Sequence, residues 1–161
     1  MNTKEARTMN AMVIYDTKFG NTERLAKAIG RALEEAFTVG VQSVAGRPEL
    51  SPGLELLVIG GPTHAHGMSM AMRTFLWELP EDILRDVPAL AFDTRFRLPA
   101  IFSGTAASRI AKALKRKGAK LLLRPESFFV STSEGNPLEP GEEERATAWT
   151  TGVLETLIHA V

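Results

Sequence analysis

The chain has 161 residues, no cysteine, and 19 acidic against 19 basic residues. That length suits one domain, and a hydrophobic share of 44% is enough to bury a core. Balanced charge argues against a nucleic-acid binder as a whole, and the missing thiols exclude disulfides, a cysteine nucleophile and cysteine-ligated iron–sulfur clusters. No apolar run approaches the roughly 20 residues that span a bilayer. The polar opening residues lack the apolar core of a signal peptide, so no membrane contact and a cytoplasmic location are expected. Residues 1–10 read as a flexible N-terminal tail and 11–161 as a single domain.

Residues 11–15 are apolar and read as a first strand. The turn Asp16-Thr17-Lys18-Phe19-Gly20-Asn21-Thr22 follows, and an amphipathic helix begins behind it. Such a turn aims backbone N–H groups and the positive end of a helix dipole at one point, which suits a phosphate. Thr17 and Thr22 add hydroxyls, Gly20 permits close approach of the backbone, and Asn21 can cap the helix or donate its amide. The glycine spacing matches neither the dinucleotide fingerprint nor the nucleotide loop that ends in Gly-Lys-Ser/Thr, so a monophosphate is expected. The bland alternative is a helix cap after a tight turn.

A second strand is expected over 39–44, a loop over 45–53, and a third strand over 54–60, apolar as if covered on both faces. Residues 70–79 read as a helix stopped by Pro80, and 89–92 as a fourth strand. A helix over 106–117 stops at Gly118. Residues 121–123 and 128–130 form a fifth strand interrupted at Pro125, and a last helix runs from about 142 to the end. Trp149, Val153 and Leu157 are its expected buried stripe. Met70, Trp77 and Trp149 are expected to pack in the core.

Strands alternating with helices imply an α/β fold: a doubly wound, five-stranded parallel sheet in the order 2-1-3-4-5. Ligands bind such sheets at the carboxyl ends of the strands, where the connections diverge. The turns after strands three and four carry Pro62-Thr63-His64-Ala65-His66-Gly67 and Asp93-Thr94-Arg95-Phe96. Together with the first turn they describe a site for a phosphorylated flat ring. Asp93 also suits a cap on the next turn. His64 and His66 are spaced for a metal, but no cysteine or third histidine lies near, so no metal is expected.

On these residues the chain resembles the flavodoxin family. Thr17-Lys18-Phe19-Gly20-Asn21-Thr22 looks like its FMN phosphate loop, Gly61-Pro62-Thr63-His64 like its second flavin loop, and Asp93-Thr94-Arg95 like its third. Phe19 stands where the family usually has a hydroxyl, and Lys18 offers charge in the same loop. The resemblance implies a flavodoxin-like fold, non-covalent FMN and electron transfer with a redox partner protein. Two other functions stay open: an NAD(P)H-dependent reductase of quinones or similar acceptors, and an interaction module without flavin. Ring stacking falls to His64, His66 or Phe96.

Charge is uneven along the chain. Residues 105–125 hold Arg109, Lys112, Lys115, Arg116, Lys117, Lys120 and Arg124 with no acid, whereas 126–144 hold Glu126, Glu134, Glu139, Glu142, Glu143 and Glu144 with no base. The first run is either a solvated helix face or the docking surface for an acidic partner.

Overall fold

Strand β1 (Met9–Tyr15) lies inside a parallel sheet, between two neighbouring strands, and its side chains alternate between two cores. Ala11, Val13 and Tyr15 face one, Met12 and Ile14 the other. The computed structural model describes residues 9–64, 67–97 and 104–159. Around β1 stand β2 (Phe37–Ser43), β3 (Leu56–Pro62), β4 (Pro88–Arg95), β5 (Lys120–Leu121) and β6 (Glu126–Phe129). The order is β2-β1-β3-β4-β5, and β6 pairs β4 beyond β5. β5 lies against Pro88 and Ala89, β6 against residues 92–95, so the last sheet position is one strand broken in two around Pro125. Proline lacks the N–H that would continue the ladder.

Helices α1 (Asn21–Leu33) and α4 (Glu142–His159) cover one face, α2 (Met70–Glu78) and α3 (Ala106–Arg116) the other. This two-sided cover explains why β3 and β4 read as unbroken apolar runs. Leu56, Val58, Leu90 and Phe92 meet α1 and α4, while Leu57, Ile59, Ala89 and Ala91 meet α2 and α3. On the first face Phe92, Phe128 and Trp149 pack edge to face, with ring centroids 5.9–6.5 Å apart. Gly60 makes room for that cluster, because a Cβ there would lie 2.1 Å from the Phe92 ring.

Several boundaries differ from expectation. β1 begins at Met9, and Met9 and Asn10 pair with Phe37 and Thr38, so the sheet reaches two residues into the expected tail. β4 runs on through Asp93, Thr94 and Arg95, which were expected in a turn. The buried face of α4 is Ala146, Thr150, Val153 and Leu154; Trp149 and Leu157 pack against it half-buried. Met70 and Trp77 are not core residues. They are 71% and 82% exposed, because α2 buries Met72 and Leu76 and turns the flanking positions to solvent. Among the described residues no helix is long and apolar enough to cross a membrane.

Candidate functional site

An open cleft of about 260 Å³ lies at the carboxyl ends of β1, β3 and β4. Thr17, Lys18, Phe19, Asn21 and Thr22 line it from the first turn. Pro62, Thr63 and His64 come from the end of β3, and Thr94, Arg95 and Phe96 from the end of β4. The switch point of the sheet thus brings together most of the residues that the three turns offered.

The first turn is held in shape from within. Gly20 N donates to Thr17 Oγ1 at 2.9 Å, and Gly20 itself adopts φ +90°, a left-handed conformation that favours glycine. Gly20 is also the residue from which α1 starts, so no side chain caps that helix. Its first N–H groups point out of the helix end without a side-chain acceptor, beside the hydroxyls of Thr17 and Thr22 and the Lys18 ammonium. Thr22 is buried, with Oγ1 3.0 Å from Thr94 Oγ1. Either hydroxyl can be the donor. One proton closes that bond, and the other hydroxyl proton is available to a ligand oxygen.

Phe19 and Phe96 are 70% and 39% exposed, and the Lys18 ammonium sits 5.3 Å from the centre of the Phe19 ring. Phe96 and His64 are the flat side chains of the described cleft that stand beyond the first turn. His64 and Gly67 exchange both backbone hydrogen bonds at 2.8 Å, which closes the second loop tightly. Ala65 and His66, also expected at the ring, lie outside the described residues.

Three expected site residues sit differently. Asp93 does not line the cleft. It is fully buried, and its Oδ2 accepts from Thr63 Oγ1 at 3.1 Å and from Ala107 N at 3.0 Å. It therefore locks the N-terminus of α3 to β3 and β4, the capping role weighed for it above. Burial raises its carboxyl above the usual carboxylate range, against the opposing pull of its hydrogen bonds and of the Arg95 charge. Its Oδ1 has no hydrogen-bond partner among the described residues. Gly20 and Gly67 shape their loops without lining the cleft. Thr63 lines it, but its hydroxyl is engaged twice, donating to Asp93 and accepting from Ala106 N at 3.0 Å.

Val130 and Asn136 complete the cleft and were missed in the sequence. Asn21 Nδ2 donates to Asn136 O at 2.7 Å, so the amide of the first turn holds a loop 115 residues away. A left-handed Asn136 (φ +44°) between Gly135 and Pro137 was the available turn signal. The Arg97 side chain turns to Glu139 at 2.9 Å and covers the Phe129 ring at 4.0 Å.

The sequence profile of the family described as Flavodoxin matches residues 13–149. Among curated proteins no relative matches. Solved structures share the fold. A flavodoxin from the domain Archaea superposes with a TM-score of 0.73 at 19% identity, over 94% of this chain and 100% of that one. Oxidised Flavodoxin 1 from Bacillus cereus gives 0.73 at 18%, over 91% and 97%. The rubredoxin oxygen:oxidoreductase from Desulfovibrio gigas gives 0.66 at 14%, over 93% of this chain but 36% of that longer one. At these identities the structural likeness carries the fold alone.

Proposed function

The chain belongs to the flavodoxin family, and from that premise we propose that it holds FMN in the cleft at the ends of β1, β3 and β4 and carries electrons between partner proteins. The observation that carries this reading is the uncapped N-terminus of α1, opening into the cleft beside Thr17, Lys18 and Thr22. An anion there meets aligned N–H groups and a helix dipole. The fit extends past the phosphate. His64 and Phe96 offer flat faces to a ring, and Pro62 and Val130 supply apolar wall.

FMN, when bound, supplies the redox chemistry, taking and giving electrons at its ring. This chain's residues do the rest. The first turn binds and orients the phosphate. The Asn21–Asn136 bond holds the turn against the loop after β6, so the two sides of the cleft keep one spacing. The Asp16 carboxylate accepts from the Ser69 hydroxyl, which in turn accepts from Met72 N at 3.1 Å. That chain fixes the start of α2, and with it the end of the second loop, to the end of β1.

Titration of the apoprotein with FMN and with riboflavin tests the reading. FMN should bind far more tightly, and Thr22→Ala should remove about 1–2 kcal/mol of that preference, the worth of a hydrogen bond to a charged group. Equal affinity for the two flavins would overturn it.

A further inference from the structure

The acidic and basic runs of the sequence meet different fates in the fold. Most of the acidic run is engaged internally. Glu126 and Glu142 pair with Arg145 at 3.4 and 2.8 Å, Glu139 with Arg97 at 2.9 Å, and Glu143 with Arg24 at 2.8 Å. The basic run is not matched in this way. Lys117 donates to the Leu79 carbonyl at 2.7 Å and pairs with Glu81 at 4.0 Å, and Lys120 pairs with Asp86 at 3.3 Å. Lys112, Lys115, Arg116 and Arg124 have no acid partner among the described residues.

Two of those unmatched cations face a groove. Arg109, Lys112 and Arg116 recur at i, i+3 and i+7, which is one face of α3, while Ile110, Ala111 and Leu114 take the buried face. Arg73 and Trp77, one turn apart on α2, form the opposite wall. These residues line a groove of about 530 Å³ between the two helices, and Glu81 is its one acidic lining residue. Trp77 leaves 82% of its surface in water there. The groove also touches the second loop. A Cβ on Gly67 would lie 2.4 Å from Arg109 Cδ, and Gly67 pairs with His64 of the cleft.

We propose that this groove receives an acidic, leucine-bearing segment of the protein with which the chain exchanges electrons. The inference rests on the shuttle reading above for the identity of the partner, and on the groove itself for the chemistry. Cations crowded on two facing helices repel one another until an anionic surface lies between them. Carboxylates supply that charge and speed the encounter by steering. An exposed Trp that shares a groove with arginines is the residue combination that anchors protein interfaces, and it needs an apolar side chain to cover it. Contact between Arg109 and the second loop puts the docked segment beside the flavin cleft, where electron transfer requires it.

The probe is a rhodamine-labelled peptide, acetyl-Glu-Glu-Leu-Glu-Asp-Leu-Glu-Glu-amide, followed by anisotropy with the protein mixed with FMN at about 0.15 M salt, where the Debye length is about 8 Å. Lys112→Glu with Arg116→Glu should weaken it by about tenfold or more, as expected for close charge pairs. Lys115→Glu with Arg124→Glu changes net charge equally but lies off the groove, and should cost less than about twofold at such screened distances. Trp77→Ala should cost about thirtyfold, the threshold of an anchor residue. No binding by the wild type, or equal losses in the two charge-reversed pairs, overturns the proposal. So does tighter binding of a short oligothymidylate through the same residues, which would assign the groove to nucleic acid. FMN titration of the same proteins separates the two claims. A protein that binds the peptide through the groove but takes no FMN supports the groove and sinks the shuttle reading. One that takes FMN and ignores the peptide does the reverse.

Discussion

Helices α1 and α3 begin at the same edge of the sheet, each behind a threonine-bearing turn, and they use their free N–H groups in opposite ways. At α3 the groups are satisfied from within. Ser108 N donates to Thr105 Oγ1, Ala106 N to Thr63 Oγ1 and Ala107 N to Asp93 Oδ2, at 3.0–3.1 Å. At α1 the cap is Gly20, which has no side chain to offer. One terminus is a lock that holds β3, β4 and α3 together; the other is left open to an external anion. A polar turn before a helix therefore signals a binding site only where the chain withholds its own acceptors.

Breaking the lock should produce the larger effect, and on stability. Asp93→Ala strands the Ala107 N–H inside the protein and takes the acceptor from the half-buried Thr63 hydroxyl. One buried donor without a partner and one lost hydrogen bond cost about 3 kcal/mol. Urea unfolding of the apoprotein measures it. FMN affinity should fall by less than stability does, because Asp93 lies below the cleft and not in it. A variant that loses FMN while keeping its stability would move Asp93 into the binding machinery.

Closing the open terminus should act on binding instead. Gly20→Asp brings a carboxylate to the start of α1, and nothing lies within 4 Å of the new Cβ. The left-handed backbone strains Asp and Asn about equally, so Gly20→Asn carries the same conformational cost without the charge. The acid variant should bind FMN about 1–2 kcal/mol more weakly than the amide variant at low salt, through repulsion of the phosphate. Equal affinities for the two variants would show that the phosphate does not sit at this helix end.

The contrast between the termini was only half legible in the sequence. The order of strands and helices could be read because two-sided burial leaves unbroken apolar strands between glycine- and proline-marked turns. The first turn could be read because its donors are adjacent in the chain. Asp93 and Thr94 look like loop residues by type. Asp93 finds a buried N–H partner on α3 and Thr94 meets the Thr22 hydroxyl of α1, and the local sequence reveals neither. Asn136 reaches the cleft through a bond to Asn21 across 115 positions, for which no short-range pattern exists. In α2 the apolar residues stand nearly all round the helix, so spacing alone did not choose Met72 and Leu76 as the buried pair over Met70 and Trp77.

The smallest expected effect sharpens the lock rather than breaking it. Asp93→Asn keeps an oxygen for Thr63 and Ala107 and puts an amide where Oδ1 finds no partner. It also removes a titrating group. Burial raises the folded-state value of Asp93 above the ordinary 3.8, while the hydrogen bonds from Ala107 and Thr63, the nearby Ser127 hydroxyl and the Arg95 charge pull it down, so the net shift is a remainder of opposed effects. A raised carboxyl means the folded protein holds its proton more tightly than the unfolded chain does. Asp93 then contributes fully in acid, below the ordinary value, and that contribution is lost as pH rises through the raised one. The stability of the wild type relative to Asp93→Asn should therefore decline as pH rises above 3.8 and level off once the buried group has ionised. Other carboxylates titrate alike in both proteins and cancel in the difference. Urea unfolding of the pair at a series of pH values reads it directly. A difference that grows with pH would mean that the Asp93 charge is stabilised in the fold, with its hydrogen bonds outweighing its burial.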